Sequence, residues 1–308
     1  MAPTVALRGK TDPVTRTYRY LRIALIGTVI VIFAAVGAEW AQHVSLGSIS
    51  AYYYTGARTP FVGALFAAAI TLIALAGNGL GRILLSIAAM FAPIIALVPT
   101  PLKHGAIPGL ADGCGTGSCV PARYLADVTT GVWTYLILGL MVIVLLIVLA
   151  AIHSNAWGPT LLLAGILAVV LFFVWFGWTL ERSVFLGWAH YVSAGLFFLL
   201  IGVVAIFNAT APASDYNANG YVQSFRIGPP WAWARAAYIG VAIGEGLNVV
   251  VFVFVFLQKL PILPDEAVAL ALFAIFWLFQ TIETISFRNA PRTIDPGYDG
   301  TSGNPPDA

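Results

Sequence analysis

The chain has 308 residues, 60% of them hydrophobic and only 9% charged, with a net charge of +2. Soluble domains carry about 25% charged residues, so a water-soluble globule is excluded and lipid is the solvent. The basic residues are scattered rather than run together, which excludes nucleic acid as a partner because nothing is placed to grip a phosphate backbone.

Residues 1–20 carry Arg8, Lys10, Arg16 and Arg19, and Arg22 opens the first apolar run. This reads as a basic cytoplasmic tail followed by a span. A signal peptide has the same order of charge and apolarity, but Ala38-Glu39-Trp40 is a poor small-residue cleavage site. A crossing helix needs about 20 largely apolar residues. Applied along the chain, that rule predicts eight spans, near 21–38, 60–77, 83–100, 129–151, 160–180, 187–208, 232–257 and 265–286. The fold expected is an all-α polytopic transmembrane helix bundle over residues 21–286, with both termini cytoplasmic. A short turn at 152–159, ending in Gly158-Pro159, joins spans four and five.

Positive charge sets the orientation. Arg8, Lys10, Arg16, Arg19, Arg22, Arg82, Arg226, Arg235, Arg288 and Arg292 fall on the terminal side, against Arg58, Lys103, Arg123, Arg182 and Lys259 opposite. The loop at 101–128 is thereby sent outside. It holds Cys114 and Cys119, which in an oxidising compartment are either paired as a disulfide or free in a flexible loop. Residues 287–308, rich in proline and glycine, read as a disordered cytoplasmic tail.

Between spans one and two lies Ser48-Ile49-Ser50-Ala51-Tyr52-Tyr53-Tyr54-Thr55-Gly56-Ala57-Arg58-Thr59-Pro60, the densest polar and aromatic stretch near a membrane boundary. Rings and hydroxyls together suit an interface, so it is read as an outer lip, half wet and half dry. Trp40, Trp133, Trp178, Trp188, Tyr191, Trp231 and Trp233, mostly at span ends, read as the rest of an aromatic belt.

Polar residues inside hydrocarbon are costly and therefore candidates for function. Gly244-Glu245-Gly246-Leu247-Asn248 lies near the middle of span seven. Glu245 and Asn248 form either an ion or solute site in a loosened helix, or a protonated acid bonded to a neighbouring helix. Gln280 and Glu283 in span eight suit snorkelling or capping. Laying down the topology gathers a second set near the outer face: Glu39, His43, Ser48, Ser50, Tyr53, Arg58, His190, Ser193 and Glu266, with Asp265 beside the last. His190 and Ser193 share a helix face, as do Glu39 and His43 if span one continues by a turn. Two histidines with carboxylates suit a metal that activates water, and a serine with a histidine suits acyl transfer. There is no H-E-x-x-H, no G-x-S-x-G, no phosphate-cradling glycine loop, no haem motif and no intramembrane lysine, so no cofactor is indicated.

The Ser48-to-Thr55 stretch, followed by Ala57-Arg58 and Phe61-Val62-Gly63, resembles the entry to span two in a group of uncharacterised bacterial multi-pass membrane proteins. His190-Tyr191-Val192-Ser193-Ala194 matches their later His-x-x-Ser-Ala, and Glu266 ahead of Phe273 and Trp277 their late acid. The group is distantly similar to the DRAM-like proteins of eukaryotes. The resemblance implies a family with no settled activity, and it marks residues rather than an activity; the location expected for the chain is the cell membrane.

Three functions are carried forward from the sequence. The first is a protein that interacts with or senses membrane lipids through the outer polar and aromatic site. The second is a small-solute or ion transporter built on Glu245, with a small-molecule ligand as partner. The third is a membrane-embedded metal-dependent hydrolase.

Overall fold

The computed structural model describes residues 13–76, 79–107, 114, 117–152, 157–210 and 232–289. Among these residues are eight α-helices: α1 (Pro13–Ala41), α2 (Arg58–Leu75), α3 (Gly79–Leu97), α4 (Ala122–Ile152), α5 (Trp157–Leu180), α6 (Arg182–Thr210), α7 (Ala232–Leu257) and α8 (Leu263–Asn289). A 3-10 helix, Ser50–Tyr54, sits between α1 and α2. A two-residue antiparallel ladder pairs β1 (Leu102–Lys103) with β2 (Ser118–Cys119), and Cys114 and Cys119 form a disulfide. Seven of the helices are long and apolar enough to cross a membrane, and the apolar part of α3, Gly81–Leu97, is shorter. The protein is an all-α, multi-pass integral membrane protein.

Several helices overrun their apolar stretches. α1 starts at Pro13, taking in Arg16 and Arg19, and α4 starts at Ala122, inside the loop expected at 101–128. An apolar run marks only where lipid demands a helix; once nucleated, the helix continues into the interface because each added turn satisfies its own backbone groups. Arg8, Lys10, Arg226, Trp231, residues 153–156 of the turn and the tail from 290 lie outside the described residues.

Six helices close into a ring. α1 packs on α2, α2 on α3, α3 on α6, α6 on α7, α7 on α8, and α8 returns to α1. α4 and α5 pair with each other outside it, against α3, with α5 also touching α6. Small residues permit this close approach. Gly139 of α4 faces α5, where a Cβ would stand 2.5 Å from Leu171 Cδ2, and Gly131 faces α3, where one would stand 2.9 Å from Leu97 Cδ2. The remaining face of α4, with Ile137, Leu140, Met141 and Leu145, is exposed and apolar, as a lipid-facing surface must be.

The ring has two ends. One holds the start of α1 and the end of α8; the other, here called distal, holds the 3-10 helix and the start of α8. At the distal end the first free N–H groups of α8 are met by another part of the chain: Gly47 O accepts from Ile262 N at 2.8 Å and Leu263 N at 2.9 Å. Asp265 and Glu266 in the first turn of α8 complement its dipole.

Candidate functional site

The distal cluster grows from a helix that cannot cap itself. Ile49, which precedes the 3-10 helix Ser50–Tyr54, makes no side-chain cap bond. Its N–H donates instead to Glu266 Oε2, 217 residues away on α8. The Ser48 hydroxyl lies 2.9 Å from both Glu266 oxygens, and the Ser50 hydroxyl 3.0 Å from Oε1. The two hydroxyls are 2.7 Å apart, and Ser50 Oγ is 3.1 Å from Thr100 Oγ1. One carboxylate thus gathers Ser48, Ile49 and Ser50, while Gly47 of the same segment serves the start of α8. The two chain segments cap each other.

His190 of α6 stands beside this group. It is buried, and its Nδ1 is 2.8 Å from Val98 O, a carbonyl just past the end of α3. A carbonyl only accepts, so Nδ1 carries the proton and Nε2 of the neutral ring is an acceptor. Tyr54 Oη donates to Thr100 O at 2.8 Å, so His190 and Tyr54 both hold the chain leaving α3.

A cavity of about 60 Å³ lies inside the ring, lined by Ser50, His190 and Glu266 together with Phe61, Leu65, Phe197 and Phe273. A second of about 40 Å³ shares His190 and Glu266 and adds Asn248 and Asp265. His190 and Glu266 therefore border two spaces at once. Nothing in the spacing of 190 and 266 announces this; ring closure creates it.

The other predicted residues divide. Ser193 is buried on the same helix as His190, but among the described residues no serine is a hydrogen-bond partner of that imidazole. The hydroxyls of Ser48 and Ser50 are directed at the Glu266 carboxylate and not at an imidazole, so the serine–histidine arrangement for acyl transfer is not formed. Tyr53 and Arg58 pair with each other: Arg58 Nη2 donates to Tyr53 Oη at 2.9 Å, its carbon lies 4.5 Å from the ring centre, and Nη1 binds Asp127 at 2.8 Å. Glu39 is half-buried, near Gly56, where a Cβ would meet its Oε1 at 2.9 Å.

Three expectations are corrected. His43 does not share a face with Glu39: α1 stops at Ala41, and His43 follows it, exposed, with φ of 63°. The tyrosine lip is not half wet, because Tyr52, Tyr53 and Tyr54 are 0%, 3% and 4% exposed. The 3-10 helix turns them inward as a plug, where Tyr54 and Tyr124 meet edge to face with ring centres 4.9 Å apart. Gln280 and Glu283 do not snorkel, for both are buried against α1 and α7 together with Arg22 and Tyr238.

Burial pushes the Tyr54 hydroxyl well above the usual tyrosine value, and raises Tyr53 although Arg58 pulls it back. Unfolded phenols ionise near pH 10. Above that pH the unfolded chain releases protons that Tyr53 and Tyr54 retain, so stability falls as pH rises. Melting of the detergent-solubilised protein across pH 8 to 11 should show the midpoint level up to about pH 10 and declining beyond it; Tyr54→Phe should soften the decline.

Among the described residues, no three His, Cys, Asp or Glu side chains converge as metal ligands. His190 with Glu266 supplies two such groups, short of the three protein ligands of catalytic zinc. Comparison with protein-family profiles, with curated protein sequences and with solved structures gives no match to this chain.

Proposed function

We propose that the protein interacts with membrane lipid by admitting a single-chain amphiphile to the ring interior. The observation that carries this reading is the composition of the larger cavity. Its walls are aromatic and aliphatic, and its polar groups, Ser50, His190 and Glu266, belong to the distal end. From Glu266 to Phe273 the lining runs seven residues along α8, about 10 Å at the helical rise of 1.5 Å. Widening of this space between Leu65, Phe197 and Phe273 would admit an apolar tail, with a head that donates a hydrogen bond to His190 Nε2 or Glu266.

The orientation follows from charge. Most basic residues belong to the terminal side, which sets that side in the cytoplasm and the distal end outside, in a cell membrane. A disulfide at the distal end agrees with an oxidising exterior.

The test is lipid mass spectrometry of protein purified in mild detergent, beside Ala64→Leu, which fills the cavity from α2 without touching a polar group. A lipid retained by the wild type and lost from a monodisperse variant is the result expected. Equal lipid in both, or none above the empty-micelle background, overturns the reading.

A further inference from the structure

Glu245 lies in the middle of α7 with none of its surface exposed, and among the described residues neither carboxyl oxygen has a hydrogen-bond partner. From α6 it meets Gly202, where a Cβ would stand 3.2 Å from Glu245 Cβ and 3.9 Å from its Cγ. From α8 the ionisable group acting on it is Asp265. An ionised carboxyl without counter-charge or donor is not stable in hydrocarbon, so the group holds its proton.

Polar groups lie on both sides of it, bonding α8 to α7 at each end and, at the terminal end, also to α6 and α1. Toward the distal end, one turn on, Asn248 Nδ2 donates to Asp265 O at 3.0 Å and Oδ1 at 3.2 Å. Asn248 and Asp265 border the smaller cavity with His190 and Glu266. Toward the terminal end, Tyr238 donates to Glu283, Gln280 Nε2 donates to Asn208 Oδ1 at 2.9 Å, and Arg22 Nη1 to Gln280 O at 3.3 Å. From Asp265 to Glu283 this column covers eighteen residues of α8, about 27 Å at 1.5 Å each. The hydrocarbon core is about 30 Å thick. Polar clusters thus stand at both ends of the α7–α8 seam, the terminal one reaching also to α6 and α1, with Glu245 between them.

We infer that this seam is a proton path and that Glu245 is the station that carries the proton across it. Glu245 starts protonated: its Oε–H bond breaks as the proton passes to the Glu283 carboxylate, where a new O–H forms, and the Glu245 carboxylate left behind is reprotonated as the O–H of a protonated Asp265 breaks. Val241, between Tyr238 and Glu245 on α7, and Phe276, whose ring centre is 5.9 Å from that of Tyr238, are both buried. This apolar gap is the barrier, and flux is that of a carrier rather than an open channel. The path is independent of lipid in the ring cavity.

The experiment is proton flux into liposomes holding a pH-sensitive dye, driven by a potassium gradient with valinomycin. Wild type should exceed protein-free liposomes, and Glu245→Gln, reconstituted to the same density, should fall to their level. Wild-type flux at that level, or undiminished flux in Glu245→Gln, overturns the proposal. If that variant does not reconstitute, Glu245→Leu, which removes the acid and suits a hydrocarbon interior, decides: flux lost to the level of protein-free liposomes supports the path, and undiminished flux overturns it.

Discussion

Glu266→Ala should loosen the distal end more than any other single change there, by about 3–5 kcal/mol, because it strands several buried donors at once. The Ile49 N–H loses its acceptor, and the Ser48 and Ser50 hydroxyls keep only each other and Thr100. Each buried donor left unmet costs about 1–3 kcal/mol. The 3-10 helix loses its external cap, and the plug of Tyr52, Tyr53 and Tyr54 loses its tie to α8. Glu266→Gln keeps one accepting oxygen and turns the other into a donor facing hydroxyls, so its cost should be intermediate. Reversible unfolding in mixed detergent micelles reads the difference. Alanine within 0.5 kcal/mol of wild type would mean that the carboxylate is not what holds the two segments together.

This cluster also shows how far the sequence can be read. Ser48, Ser50, His190 and Glu266 stand out because they are polar residues beside apolar runs, and the alternation of sides gathers them near one face. That Ser48 and Ser50 touch Glu266, with His190 on the wall of the same cavity, depends on α8 packing back on α1, a contact between residues more than two hundred positions apart, which no local pattern encodes. The tyrosines show the reverse failure. Three rings beside a span suit an interface by composition, yet composition does not say whether the chain there turns toward water or toward the ring. The 3-10 helix turns it inward, and only then do Tyr54 Oη and Thr100 O find each other. His43 was lost to a boundary: one more turn of α1 would have set it beside Glu39, and the helix ends before that turn.

The spans themselves were legible for a simpler reason. Lipid offers no hydrogen bonds, so a long apolar run has one structural solution, and length alone counts the helices. α3 is the shortest by apolar length, and it keeps its place because α2 and α6 cover it on two sides. What lipid does not dictate is which face of each helix turns inward. The polar residues of α8 could therefore be seen in the sequence while their burial could not.

Arg22 carries the second large expectation. It opens the first apolar run of the sequence, yet on α1 it is only 4% exposed, covered by α7 and α8. Glu283 and Tyr238 both act on its charge, and Tyr238 also donates to Glu283. Arg22→Leu removes the cation that compensates Glu283 and should cost about 3–5 kcal/mol, the range for breaking a buried pair from one side. Glu283→Leu should cost a similar amount, since it leaves Arg22 as the uncompensated charge. The double variant should cost clearly less than the sum, because desolvating the pair is itself expensive and leucines of similar volume suit the seam. A double-mutant cycle in mixed micelles supplies the coupling directly. Strictly additive costs would show that Arg22 and Glu283 do not act on each other. The terminal end of the polar seam would then be a set of separate hydrogen bonds, and Glu245 would have nothing charged to exchange its proton with on that side.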